Sequence, residues 1–398
     1  MYLMTDWIKR VDFDAQREQR ITRLQKKMEE FNLNGLFLFK VENIRYATGV
    51  HPSWFPSVPI RNAAVLKLGR RDSVNFVASG NLKHRQKTTY WLPSEEIYPL
   101  PYMENIALVK RASENFKKAF VKMDIFDGNV GIDLFTLYIL KELQQILPKV
   151  KWVDGDRCVK EAMTIKNDED LKCLKISTQC VDIAMAHALE KMEVGKRECE
   201  VLGEALYTLY ALGTSIPQGQ LIVASGEENL FPLTRFTTDK IIRYGDLVLI
   251  DIGGYFNGMF GEAKRTIVCG RPTPRQKEIY KAVYGAHLAA MNLMKPKIRA
   301  CEILKVVHEV YERKGFSQYA DSKVLAHGIG VGGFESPFIG EGLPDFELQE
   351  GMVFFLQPTL VVPGVPGGGT VSLGNIVAIT HDGGVVLNTI GYDENLLN

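Results

Sequence analysis

The stretch Gly245–Thr266, GDLVLIDIGGYFNGMFGEAKRT, constrains the fold of this 398-residue chain more than any other. An apolar run from Asp246 ends in the carboxylate of Asp251, the pairs Gly253-Gly254 and Asn257-Gly258 interrupt it, and a second run goes from Glu262 to Val268. Turn residues between two apolar runs predict a β-hairpin. The hairpin would bring Asp251 and Glu262 near the turn on facing strands. Buried carboxylates there are costly unless a metal, a cation or a substrate proton compensates them. Two solvated turn acids are the plainer alternative, but Asp251 stands inside the apolar string VLIDI.

This hairpin resembles the metal hairpin of the pita-bread family, which includes methionine aminopeptidase, prolidase, Xaa-Pro aminopeptidase and creatinase. The family pattern, roughly GDxVxxDxGxxxxGYxxDxTRT, places two metal-binding aspartates at the spacing of Asp251 and Glu262, with Gly258, Arg265 and Thr266 in register. A glutamate replaces the second aspartate, and Lys264 stands where threonine is usual. A second segment, Ala326–Pro337 (AHGIGVGGFESP), resembles HGxGxxxHExP. His327 keeps the first histidine, Phe334 replaces the second, and Glu335 and Pro337 remain. Glycines let a backbone approach a ligand closely, so their density here needs no catalytic assumption.

By the same resemblance the strand Gly351–Pro358 ends in Gln357 where the peptidases carry a glutamate ligand, and the last ligand glutamate falls on Gly374. The place of a further catalytic histidine is taken by Pro232-Leu233-Thr234. Five ligands normally hold two divalent ions that activate a bridging water. Here Asp251, Glu262, His327 and a neutral amide remain. The resemblance therefore implies no conventional two-metal site and no required cofactor, and it leaves room for one divalent ion on Glu262, His327 and Gln357.

Ahead of the hairpin, helical spacing of Ile21, Leu24, Met28 and Phe31 predicts a helix over Gln16–Phe31. Short strands at Gly35–Lys40, Asn62–Leu68, Ser73–Ala78 and Asn129–Ile132, then a helix over Thr136–Leu147, make a small α/β domain. The phrase Glu42–Gly49 (ENIRYATG) resembles a segment of the N-terminal domain of creatinase and prolidase. The expected architecture is thus α/β (α+β), a creatinase-like N-terminal domain over 1–160 followed by a pita-bread domain over 161–398. The latter opens on two helices, one from the cap Asn167 to about Met192 and one over Arg197–Leu212. Thr273-Pro274-Arg275-Gln276 starts a later helix with a capping box. His187, His287 and His308 lie on helices and read as packing residues.

The segment His51–Arg61 (HPSWFPSVPIR), with three prolines, excludes regular structure. In creatinase-like dimers the matching loop reaches the neighbouring subunit's site. That resemblance makes Trp54, Phe55 and Arg61 candidates for a substrate lid, with Arg61 the anchor for a carboxylate. It also implies a homodimer. A packed surface loop is the competing account.

A net charge of +1 argues against a nucleic-acid binder built on bulk positive charge. No apolar run reaches membrane-span length, and six cysteines without CxxC spacing fit free thiols in a cytoplasmic protein. The expected function is metal-independent hydrolysis of a C–N bond in a small polar or zwitterionic compound, of the creatinase or ectoine-hydrolase kind. His327 would be the acid/base, Glu262 or Asp251 would activate water or attack, and Arg265, Phe334, Glu335 and Gln357 would contact the substrate. Two alternatives stand beside it: an Xaa-Pro dipeptidase or aminopeptidase with an atypical metal site, and a catalytically inactive binding protein.

Overall fold

A computed structural model describes residues 10–50, 60–103, 105–214, 221–230 and 236–398. The lid candidates Trp54 and Phe55, and the Pro232-Leu233-Thr234 segment, lie outside them. The chain divides into a unit of Asp12–Met163 and a unit made mainly of Thr164–Asn398.

The first unit is built on a six-stranded mixed sheet. Gly35–Leu38 is central, antiparallel to Ala63–Lys67 and parallel to Gly128–Ile132. Helix Phe13–Glu30 begins on the Asp12 cap and ends at Phe31, where Asn32 turns the chain with φ 53°. Leu24 and Met28 on its apolar stripe are fully buried. Among the described residues of this unit four α-helices escape the sequence reading, including Leu82–Thr88 and Asp156–Met163. Ile106–Lys122 packs Phe116 and Phe120 edge-on against Phe37, and Val41–Thr48 contains much of the ENIRYATG segment.

In the second unit the hairpin is longer than expected, with strands Asp246–Phe256 and Met259–Cys269. Gly253 and Gly254 do not break it; both sit inside the first strand. Gly253 is small because a Cβ there would meet Phe260 Cζ at 2.2 Å. The turn is Asn257-Gly258 alone, at φ 47° and 73°, the positive pair that a two-residue hairpin loop with the strands' own twist requires. Side chains alternate across this ribbon. Val248, Ile250, Ile252, Ala263 and Ile267 pack against helices Asp168–Lys191 and Glu198–Ala211. Leu247, Leu249 and Val268 join a core with helices Pro274–Leu293 and Ala300–Arg313. Asp251 follows Leu247 and Leu249 at the same parity, so the face that buries two leucines carries the acid next.

Caps form as the sequence indicates: Asn167 with Asp170, and Thr273 with Gln276 behind Pro274. A five-stranded antiparallel sheet runs in the order Glu335–Ile339, Ala326–Gly328, Val353–Leu356, Asn375–Thr380, Gly383–Val386. It joins the hairpin through a two-way backbone bridge between Lys264 and Gly374, with N···O distances of 3.3 and 2.9 Å. Among the described residues no helix is long and apolar enough to cross a membrane. All six cysteines are free.

Candidate active site

Register fixes the hairpin's contribution. Asp251 pairs with Lys264, and Glu262 pairs with Gly253. The two acids are therefore diagonal neighbours on one face, not a facing pair, and Lys264, directly opposite Asp251 and two residues after Glu262, shares that face. Lys264 Nζ is 2.9 Å from Asp251 Oδ2 and donates to Gln357 Oε1. Its charge also lies over the Phe355 ring, 5.7 Å from the centroid. Among the described residues Glu262 has no salt-bridge partner, though the charge of Lys264 acts on it. Desolvation, followed by the neighbouring charge of Asp251, pushes its carboxyl well above the usual range. Burial thus favours the protonated form of Glu262.

His327 enters from the adjoining sheet, directly paired with Phe355 on one side and Phe338 on the other. It is buried, and burial lowers its pKa to about 4, so the ring is neutral at pH 7. Nδ1 lies 3.0 Å from the carbonyl of Gly328. A carbonyl only accepts, so Nδ1 carries the proton and Nε2 keeps its lone pair. The ring packs against Phe334 at 4.3 Å and Phe355 at 5.6 Å between centroids. Phe334 is 61% exposed, so a ligand can touch it.

Two of the expected substrate contacts are corrected. Arg265 pairs with Ile250, one position off the Asp251–Lys264 pair, so it leaves the other face of the ribbon. All five of its N–H groups are spent inside the protein, on the carbonyls of Lys264, Gly374, Ile390 and Gly391 and on Asn375 Oδ1. None is left for a substrate; the residue ties the hairpin to the C-terminal strands. Glu335 is also committed: one carboxylate oxygen meets buried Lys166 at 2.8 Å and the other accepts from Gly332 N–H at 2.6 Å. It pins the loop that carries Phe334. In the first unit Arg61 stacks on Tyr102, 5.0 Å from the centroid. Gln357 faces Lys264, as above.

Gly374 bears on what this site can hold. A Cβ at that position would meet Phe355 Cζ at 2.3 Å and Lys264 Cβ at 2.8 Å. Phe355 and Lys264 thus fill the volume a longer side chain would need. Sequence reasoning passed over Lys166 and Phe355 and gave Lys264 no role, although its parity with Glu262 was readable. The three helix histidines are packing residues: His187 bonds Thr208, His308 bonds Ser322, and buried His287 meets Asn375. Among the described residues no group of three or more His, Cys, Asp or Glu is arranged to hold a metal ion.

Comparison with known proteins places this architecture. Residues 20–162 match the Creatinase/Prolidase N-terminal domain, and residues 172–381 match metallopeptidase family M24. The chain is similar to the Xaa-Pro dipeptidase of Pyrococcus furiosus, 28% identical over 92% of this chain and 96% of that protein. A putative dipeptidase of Bacillus subtilis is 26% identical over 95% and 99%. Among solved structures, a prolidase from Pyrococcus furiosus has a TM-score of 0.76 at 25% identity, covering 92% of this chain and 99% of its own. An Xaa-Pro dipeptidase from Bacillus anthracis has 0.79 at 22%, covering 95% and 99%, a likeness of fold. The chain is an α/β protein with a creatinase-like N-terminal domain and a C-terminal pita-bread domain, and it belongs to metallopeptidase family M24, hydrolases acting on C–N bonds.

Proposed function

We propose that this chain hydrolyses a C–N bond in a small polar or zwitterionic compound without a two-metal centre. The observation that carries the reading is a buried acid and a buried base whose pKa values are pushed in opposite directions at one site, Glu262 up and His327 down. His327 Nε2 takes a proton from the attacking water as the new C–O bond forms. Glu262 delivers its proton to the departing nitrogen as the C–N bond breaks. Asp251 holds Lys264. Phe334 closes the apolar side of the pocket over the substrate. Arg61, with Trp54 and Phe55, completes it across a homodimer.

The donor set does not fit two divalent ions. Of the five positions the family resemblance assigns, Gly374 offers no ligand, Gln357 offers an amide already bonded to Lys264, and Asp251 is paired with that same ammonium. A single ion on Glu262, His327 and Gln357 would have to compete with Lys264 for Gln357. No step of the reaction above is routed through a metal.

A second reading is an Xaa-Pro dipeptidase with an atypical metal site. Relatives carrying that name match over more than nine-tenths of their length, which supports this reading more than it supports the first. The Lys264–Asp251 pair and the packing around Gly374 speak for the first. One experiment separates them: assay of Xaa-Pro dipeptides beside a panel of small amides and amidines, each with chelator and with added Mn²⁺ or Co²⁺. The first reading expects turnover of a non-peptide amide or amidine that chelator leaves unchanged. Dipeptide cleavage that rises with the metal would establish the second in its place.

A further inference from the structure

The hairpin acids of this chain keep company with a lysine, and the chemistry of that lysine points to more than a surface ion pair. Its Cβ sits against the backbone-only Gly374 and its stem runs beside Phe355, which fixes where the ammonium can reach. Nζ is 2.9 Å from Asp251 Oδ2 and donates to Gln357 Oε1. It thereby joins the first hairpin strand to the end of the strand Val353–Leu356, two elements that a divalent ion held by the same two positions would also join. An ammonium carries three N–H donors. Two are spent on these oxygens, and the third has no hydrogen-bond partner among the described residues.

We infer that Lys264 is the resident cation of this site: its ammonium, with a single positive charge, occupies the place between Asp251 and Gln357 that a divalent ion would need, and its presence keeps such ions out. This rests on the metal-independent reading above and names the residue that makes the site so. The argument is one of exclusion. A divalent ion on Asp251 would have to displace an ammonium already in hydrogen-bond contact with it, or sit beside it and bear like-charge repulsion at low local dielectric. Removing the ammonium reverses the balance. Asp251, its neighbour Glu262 and the Gln357 amide then offer oxygen donors of the kind that suits Mn²⁺. The two hairpin acids are still in the chain, and a single side chain stands in the ion's place.

The test is thermal unfolding of the purified full-length chain with and without Mn²⁺, a readout that needs no substrate and so stands apart from the choice of reaction. The wild type and Lys264→Arg should show no shift at millimolar Mn²⁺. Lys264→Thr should gain about 2–4 °C, the size of shift a ligand in clear excess over its Kd gives a unit of this length. Lys264→Gln, which keeps an unbranched stem along Phe355, replaces the threonine variant if that one does not fold, with the same expected gain. An equal response of wild type and neutral variant, whether both shift or neither does, would overturn the inference. So would a shift in Lys264→Arg as large as in Lys264→Thr.

Discussion

Two of the buried lysine–carboxylate pairs in the C-terminal unit, Lys166–Glu335 and Lys264–Asp251, differ in a way that separates scaffold from chemistry. Lys166 and Glu335, with side chains 3% and 6% exposed, are matched one to one, and the second carboxylate oxygen is closed by Gly332 N–H. Lys264 and Asp251 are buried almost as deeply, but a second carboxylate, Glu262, stands beside them with no salt-bridge partner of its own among the described residues. The first pair is charge-neutral, and it fixes the loop that carries Phe334. The second leaves one acid in excess and a neutral imidazole nearby. Satisfied buried charges hold structure; an unbalanced set can move protons.

The largest effect should come from the excess acid. Glu262→Gln removes the transferable proton and should lower kcat by about 10²–10⁴-fold on whatever amide or amidine the wild type turns over. The fold should stay intact, since an amide resembles the protonated carboxyl that burial favours. Equal turnover by the variant would show that Glu262 is not the acid.

Next comes the matched pair, Lys166 and Glu335. Lys166→Met strands the Glu335 charge and should cost about 3–5 kcal/mol in urea unfolding. Lys264→Met should cost clearly less, because Asp251 and Glu262 can share a proton once the ammonium is gone. Equal losses in the two variants would erase the distinction between the pairs.

How much of this was legible in the sequence follows from the same two pairs. The hairpin was readable because its apolar runs and the Asn257-Gly258 turn are local signals. Gly253 and Gly254 misled, since a glycine that makes room for Phe260 looks the same in sequence as one that turns the chain. Glu262 and His327 were found through motif spacing. Lys264 was seen as a substitution only; its pairing with Asp251 depends on strand register, which a local reading had not fixed. Arg265 was misassigned against a rule already in hand, for its parity puts it on the opposite face from Glu262. Lys166 and Glu335 are too far apart in sequence for any local pattern to join them.

The pH dependence is smaller and its sign is fixed. The folded pKa of His327, about 4, lies below the ordinary 6.5, so as pH falls the unfolded chain binds this proton first. Stability is unaffected above about 6.5 and is lost between there and 4, by about 2 kcal/mol at pH 5 from this group alone. His287, lowered to about 3 by burial, adds a loss of the same sign. Urea midpoints at pH 7, 6 and 5 should fall in that order, and less steeply in His327→Gln. Glu262 acts oppositely. Its raised folded pKa costs stability as pH rises above the ordinary carboxyl range, so Glu262→Gln should gain on the wild type as pH rises. A flat profile from pH 7 to 5 in the Glu262→Gln variant would contradict the buried neutral imidazoles.

Least in size is the lid. Arg61→Gln should raise KM about tenfold, the worth of one exposed charge-assisted contact, with kcat and stability unchanged. No change in KM, or a purified chain that stays monomeric by mass, would remove Arg61 from the substrate's surroundings.

The central claim is that a lysine, and no pair of divalent ions, balances the hairpin acids. It is met most directly by elemental analysis of the full-length protein, purified without chelator from cells supplied with Mn²⁺, Zn²⁺ and Co²⁺. The account predicts well under one ion per chain. Two tightly held ions per chain would contradict it.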